Sequence, residues 1–283
     1  MSDRTSTDLP LEDTVWTQKV SWIDKIPRSV GMALVLGAFL LVWWSLSTSG
    51  VVPSIILPTP LETLDDLIFV TENVLSGGYI ASSLWTTTRT IFFGYLLAIA
   101  IGFSLGVLVG ETGFGERSVM PLLVGLDTMP KIAFAPLFVA WLGFGIASKV
   151  ALATFIATFP IIVGTAAGLH SADQNARMLF KSMGASRWQT LWKMKLLTGL
   201  PQIFTGLKIG AVGIMAGAIT GEFIGGGGGV GELVRLAATQ LDTPRVFSLI
   251  IYLSVIGMLL YALVVWAQRR IVFWQKEQVL ANP

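Results

Sequence analysis

Apolar residues in this chain come in blocks long enough to cross a lipid bilayer, separated by short stretches where polar residues, Gly and Pro gather. A helix needs ~20 residues to traverse the hydrocarbon core. Six blocks meet that length: residues 29–49, 89–109, 119–142, 150–169, 203–224 and 246–265. Pro130 and Pro136 interrupt the third and Pro160 lies in the fourth, so breaks are expected there. Gly143 and Gly145 predict a turn between those two blocks. After the first block, Pro58-Thr59-Pro60 predicts the start of a short helix over 61–70. The pattern predicts an all-α integral membrane protein with six transmembrane helices. A polar arm over 1–28 precedes one membrane domain at 29–270, and a tail over 271–283 follows it.

The segment 171–206 is basic and amphipathic, unlike its apolar neighbours. It carries Arg177, Lys181, Arg187, Lys193 and Lys195 against Asp173. Apolar Met178, Leu179, Phe180 and Met183 lead up to Gly184, which suits the left-handed residue that ends a helix. Ser186 with Gln189 forms a capping box for the next helix, on which Trp188, Leu191 and Trp192 follow. The segment over 171–200 is therefore expected to be a stiff helical elbow. Such a helix can lie on lipid headgroups or dock into a protein groove; the fixed Gly-Ala-Ser corner favours docking.

Lysine and arginine placement orients the spans. Arg4, Lys19, Lys25 and Arg28 precede the first block, the elbow is basic, and Arg269, Arg270 and Lys276 follow the last. The loop over 50–84 has no Lys or Arg and carries Glu62, Asp65, Asp66 and Glu72. Both termini and the elbow are expected on the cytoplasmic side. The polar start lacks a short apolar core and a small-residue cleavage site, so no secretory signal peptide is expected.

Composition narrows the chemistry. Only 13% of residues are charged, against about a quarter in soluble domains. With no Cys and one His, His170, thiolate sites and His clusters are excluded. An intramembrane enzyme is hard to assemble from such a set. Gly225 to Gly229 lacks the order of a phosphate-binding loop, and no Lys follows it. A tight reversal after the fifth block fits those glycines better.

The elbow resembles the cytoplasmic coupling loop of ABC importer permeases, in which acidic–Ala–Ala is followed by Gly and then by apolar–x–Leu–Pro. Gly184, Ala185-Ser186-Arg187-Trp188 and Leu200-Pro201 with Ile203, Gly206 and Leu207 fit that pattern. Met178-Leu179-Phe180 stands where acidic–Ala–Ala is usual, and Leu197 where a first proline is often found. Residues 129–149 and 229–234 extend the likeness, which covers roughly 85–274. It points to the branch serving nitrate, bicarbonate, sulfonates or taurine, aromatic acids and pyrimidine-type vitamin precursors.

The resemblance implies a permease subunit in the inner membrane that moves a small organic or inorganic anion by alternating access, with a neutral heterocycle as the alternative cargo. It implies a second permease copy, two cytoplasmic ATP-binding subunits and an extracytoplasmic substrate-binding protein. ATP would be bound by the partner, so this chain is expected to need no cofactor or metal, to be no enzyme, and to contact lipids but no nucleic acid. Contact with the ATPase would fall on Met178, Lys181, Met183, Gly184, Ala185, Ser186, Arg187 and Trp188. A secondary transporter would instead show matching broken helices in two halves, and only the middle of this chain carries such breaks.

Ionisable residues within spans are functional candidates. Asp127 and Lys131 can pair across Pro130, either fixing a broken helix or presenting a cation to the pathway. Glu222 can cap a partner or bond to the glycine turn. Arg89, Lys149 and Lys208 are expected to snorkel from span ends. Gly206, Gly210, Gly213, Gly217 and Gly221 form a small face on the fifth span. It serves either packing within the chain or, as the resemblance favours, the pathway against a second copy, with Gly213 and Gly217 as candidates. Trp43, Trp44, Trp85, Trp141, Trp266 and Trp274 suit the membrane boundaries.

Overall fold

The computed structural model describes residues 27–274. The arm residues Arg4, Lys19 and Lys25, and Lys276 of the tail, lie outside the described residues. Those described form helices and turns only, in two compact units divided after Val52. The first unit contributes α1 (Arg28–Thr48), a rod that is apolar between its polar ends.

The second unit holds all the other helices. Thr59 caps α2 (Pro60–Leu75) with a reciprocal box: its hydroxyl accepts from the Glu62 N–H, and the Glu62 carboxylate accepts from the Thr59 N–H. The helix α3 (Tyr79–Glu111) runs well beyond the span expected at 89–109. A wide π-turn, Gly115–Val119, leads into α4 (Met120–Thr128). Pro130 ends that direction, and a 3-10 turn over Lys131–Phe134 starts α5 (Ala135–Leu142). The two arms bend by 87°, so the third predicted span is broken; among the described residues five helices are long and apolar enough to cross a membrane, or six if the bent pair counts as one span.

Pro136 starts α5 without breaking it, because proline suits the first turn of a helix. Pro160 likewise causes no break: α6 (Ile146–His170) runs through it. A neighbouring helix packed against a proline site makes such an interruption tolerable in a membrane. That neighbour is α9 (Leu196–Gly225), which is antiparallel to α6. Before it come the elbow helices α7 (Gln174–Ser182) and α8 (Arg187–Thr190). After it come α10 (Val230–Thr239) and α11 (Thr243–Ile271), the latter capped by Asp242.

Small residues decide the packing of the three central helices. A Cβ on Gly164 would lie 2.6 Å from Gly206 Cα, and one on Gly168 would lie 2.6 Å from the Gly199 carbonyl oxygen. The α6 and α9 backbones therefore touch along Gly164–Gly206 and Gly168–Gly199. Helix α3 approaches α6 through Gly102, Gly106 and Gly110, whose absent side chains leave room for Ile161, Thr165 and Leu169. Ile91, Ala98, Ala157, Ile161, Ala211 and Ile214 fill the core between these helices. The Tyr95 hydroxyl donates to the Leu207 carbonyl at 2.8 Å, joining α3 to α9. A second cluster, with Val70, Ile80, Val230, Val234, Leu249 and Leu253, joins α2, α10 and α11 to the start of α3.

The helix directions separate two ends. Glu111, His170 and Lys195 mark the elbow end. The start of α3, the start of α6 and the turn after α9 mark the opposite, glycine-rich end.

Candidate functional site

The elbow has the predicted corner. Gly184 adopts φ 75°, and the Ala185 N–H reaches back to the Phe180 carbonyl at 3.0 Å, closing α7 as a left-handed stop does. Ser186 and Gln189 form the reciprocal box that starts α8. Asp173 caps the start of α7 through the Ala176 N–H. The corner leaves Met183 74% and Trp188 66% exposed. Met178, Lys181 and Arg187 are also exposed, and Ala185 is half-buried. All eight residues expected to meet a partner thus lie on or beside one corner.

The loop is shorter than expected. From Arg187 the chain is helical without interruption to Gly225, through a π-turn over Leu191–Lys195. The second arm of the elbow is therefore the beginning of the fifth span. Arg177 ties the first arm to α6: its guanidinium donates to the Leu169 and His170 carbonyls at 3.0 and 3.1 Å. Lys195 ties the second arm to α3 through an ion pair with Glu111 at 2.9 Å. Between these ties opens a cavity of about 610 Å³, lined by Glu111, Arg177, Lys181, Arg187 and Lys195 with Ala185 and Thr190.

In the membrane-spanning body, Asp127 and Lys131 form the expected ion pair. They do so across the 87° bend and not along a continuous helix. Both border a cavity of about 480 Å³ walled by aliphatic residues of α3, α4 and α6 and by Phe138, Phe155 and Phe159. The Lys131 ammonium stands 5.8 Å from the Phe159 ring centroid, within cation–π range.

Lys149 does not snorkel. It is fully buried, and its ammonium donates to the Gly228 carbonyl at 2.6 Å. Burial forces the lysine to find acceptors inside the protein, and the glycine turn supplies one. Glu222, also fully buried, accepts from the Gly231 N–H at 2.7 Å, just past the glycine turn, which is one of the two roles open to it. Gly226, Gly227, Gly228 and Gly229 all have positive φ. A Cβ at Gly229 would run into the Glu222 carboxylate. Thr87 and Glu232 complete the cradle by accepting from the Val230 and Gly228 N–H groups.

The small face of α9 is occupied within the chain. Gly206 meets Gly164, Gly210 meets Ile161, and Gly221 meets Lys149. Gly217 is buried against Ala153 of α6, and Gly213 is half-buried beside Ala157. Of the two roles open to this face, the contacts within the chain show the packing one: α6, the span that precedes the elbow, takes up the close approach these glycines permit. The side of α9 left open carries Thr205, Ile209, Val212 and Ala216. Three further features escaped sequence reading: the Gly102/Gly106/Gly110 stripe of α3, the Arg177 cap and the Lys195–Glu111 tie. Only the stripe had a signal, the same four-residue spacing of small residues noted on α9.

Residues 98–273 match the family model described as binding-protein-dependent transport system inner membrane component. The chain belongs to that family and is a permease subunit of an ABC importer. It is 35% identical to the formylaminopyrimidine transport permease protein ThiX of Halalkalibacterium halodurans, over 84% of this chain and 94% of that protein. It is 27% identical to the taurine transport system permease protein TauC of Escherichia coli, over 94% and 98% of the two chains. The nitrate import permease protein NrtB of Synechocystis is 26% identical over 83% and 86%. The inward-facing MetNI methionine ABC transporter shares the fold, with TM-score 0.60 and 17% identity over 68% of this chain and 96% of that one. Permeases of this family are multi-pass membrane proteins that work with ATPase and substrate-binding partners.

Proposed function

We propose that this permease imports a small, flat heterocycle of the pyrimidine vitamin-precursor kind. The observation that carries this reading is the Asp127–Lys131 ion pair on the wall of the apolar, phenylalanine-rich cavity. A cation already neutralised by a carboxylate offers an anionic cargo little net attraction, whereas aromatic walls suit a planar ring. The relative named for formylaminopyrimidine transport supports the same class. The anion reading rests on Lys131 itself, should Asp127 release it during the cycle, and on the relatives named for taurine and nitrate.

In this reading two copies of the chain enclose the pathway, presenting the open side of α9 to it. Two cytoplasmic ATPase subunits bind and hydrolyse ATP and grip the elbows, and an extracytoplasmic binding protein delivers the cargo. Both termini and the elbow face the cytoplasm. Closure of the ATPases moves each elbow as a rigid body and switches the pathway between its two openings.

Uptake into proteoliposomes holding the permease with its ATPase and binding protein tests the cargo. An aminopyrimidine should accumulate in an ATP-dependent manner, and taurine and nitrate should not. ATP-driven uptake of taurine or nitrate without the pyrimidine would overturn the heterocycle reading. Gly184→Val should abolish that uptake while leaving the protein in the membrane, because a β-branched residue opposes the left-handed stop by about 1 kcal/mol or more. Native uptake by Gly184→Val would remove the elbow from the mechanism.

A further inference from the structure

The basic cavity between the two arms of the elbow has no role in the transport reading so far. Arg177 and Lys181 of the first arm, Arg187 and Lys195 of the second, and Glu111 at the end of α3 supply its charged lining. Glu111 is already paired with Lys195. Among the described residues, Arg177, Lys181 and Arg187 have no carboxylate partner. Asp173, the one acid of the elbow, is spent at the start of α7 as the cap of the Ala176 N–H. Arg177 is tied to the α6 carbonyls, so its positive charge is fixed beside the cavity.

What covers the elbow decides what fills the cavity. Lys181 and Arg187 are exposed on the same corner as Met183 and Trp188. A partner that lies over those two apolar side chains also removes both cations from water. A cation buried without an opposite charge is costly, and a carboxylate beside it offsets the loss. The corner has no free carboxylate of its own, so the covering surface has to bring one.

We propose that the ATPase partner inserts an acidic side chain, Asp or Glu, into this cavity, where its carboxylate accepts from Lys181 on α7 and from Arg187 on α8. This rests on the reading that the ATPase grips the elbow, and it supplies the chemistry of the grip. One carboxylate held from both arms fastens them to each other across Gly184. Arg177 and Lys195 already fasten those arms to α6 and α3. A single partner side chain thereby engages three helices of the membrane body, since α8 runs on into α9.

The test uses the full chain in complex with its ATPase, purified in detergent and treated with a water-soluble carbodiimide. That reagent joins a lysine amine to a carboxylate in direct contact, and mass spectrometry reads the linked peptides. Lys195 should be joined to Glu111, which reports a folded elbow, and Lys181 to an Asp or Glu of the ATPase. The K181Q/R187Q double variant should hold the ATPase about tenfold more weakly or worse, with the Lys195–Glu111 link still formed. Should loss of that link show misfolding, the single variants K181Q and R187Q must each weaken the complex about threefold or more. Joining of Lys181 only to carboxylates of its own chain, or native retention of the ATPase by the variants, would overturn the proposal. A photoreactive benzoylphenylalanine at Met183, which is outside the cavity lining, separates this from the reading beneath it. Photolinking of Met183 to the ATPase without a Lys181 link removes the acidic grip and leaves the elbow contact standing. Absence of both links removes both.

Discussion

Lys149, at the start of α6, donates to the carbonyl of Gly228 at 2.6 Å, joining two glycine-rich turns that are far apart in sequence. A Cβ on Gly227 would lie 3.7 Å from Gly145 Cα, so the turns also touch directly. The reversal after α9 is thus fastened from one side by Lys149 and from the other by Glu222.

Lys149→Met should leave that carbonyl without its donor, at a cost of about 1–3 kcal/mol. Thermal unfolding in detergent should show a lower midpoint, and Glu222→Gln should lower it less, because the amide oxygen still accepts from the Gly231 N–H. An unchanged midpoint for Lys149→Met would show that the fastening contributes nothing to stability.

Asp127 and Lys131 should behave as one unit. Their side chains are 29% and 19% exposed, so removing one leaves the other partly buried and alone. A double-mutant cycle with Asp127→Asn and Lys131→Met should give a coupling energy of about 0.5–3 kcal/mol in stability. Additive effects would mean that the pair is an accident of proximity.

Two exposed side chains offer a test of orientation, since the chain has no native cysteine. Phe144 is 81% exposed at the glycine-rich end, and Met183 is 74% exposed at the elbow. A membrane-impermeant maleimide should label Phe144→Cys in intact spheroplasts and Met183→Cys only in inverted vesicles. The opposite pattern would turn the protein over in the membrane.

Gly206→Val should disrupt the seam, because a Cβ there would lie 2.6 Å from the Pro160 carbonyl oxygen. Overpacking of this kind costs about 1–3 kcal/mol. Gly37→Val on α1, where a Cβ meets nothing within 4 Å, should be neutral in the same unfolding assay. Equal midpoints for the two variants would contradict the close contact.

Sequence legibility followed the range of the forces involved. The elbow corner was readable because Gly184, Ser186 and Gln189 act on their immediate neighbours in the chain. The glycine reversal was readable for the same reason, whereas Glu222 had two roles open to it and its bond to the Gly231 N–H became visible only in the fold. The fate of Lys149 was not: its acceptor is 79 residues away, and near a span end the headgroups were the simpler partner. Pro160 looked like a break because its consequence depends on what packs beside it. The glycines of α9 announced close approach, yet which helix approaches is set by topology and not by spacing.

The Gly164–Gly206 and Gly168–Gly199 contacts flank the elbow from its two sides. Backbones already in contact leave no room for α6 and α9 to close further on each other, and the uninterrupted helix from Arg187 to Gly225 joins the corner to the glycine reversal without a hinge of loop residues. In the proposed coupling, a displaced corner is therefore expected to carry α9 and the reversal with it as one piece.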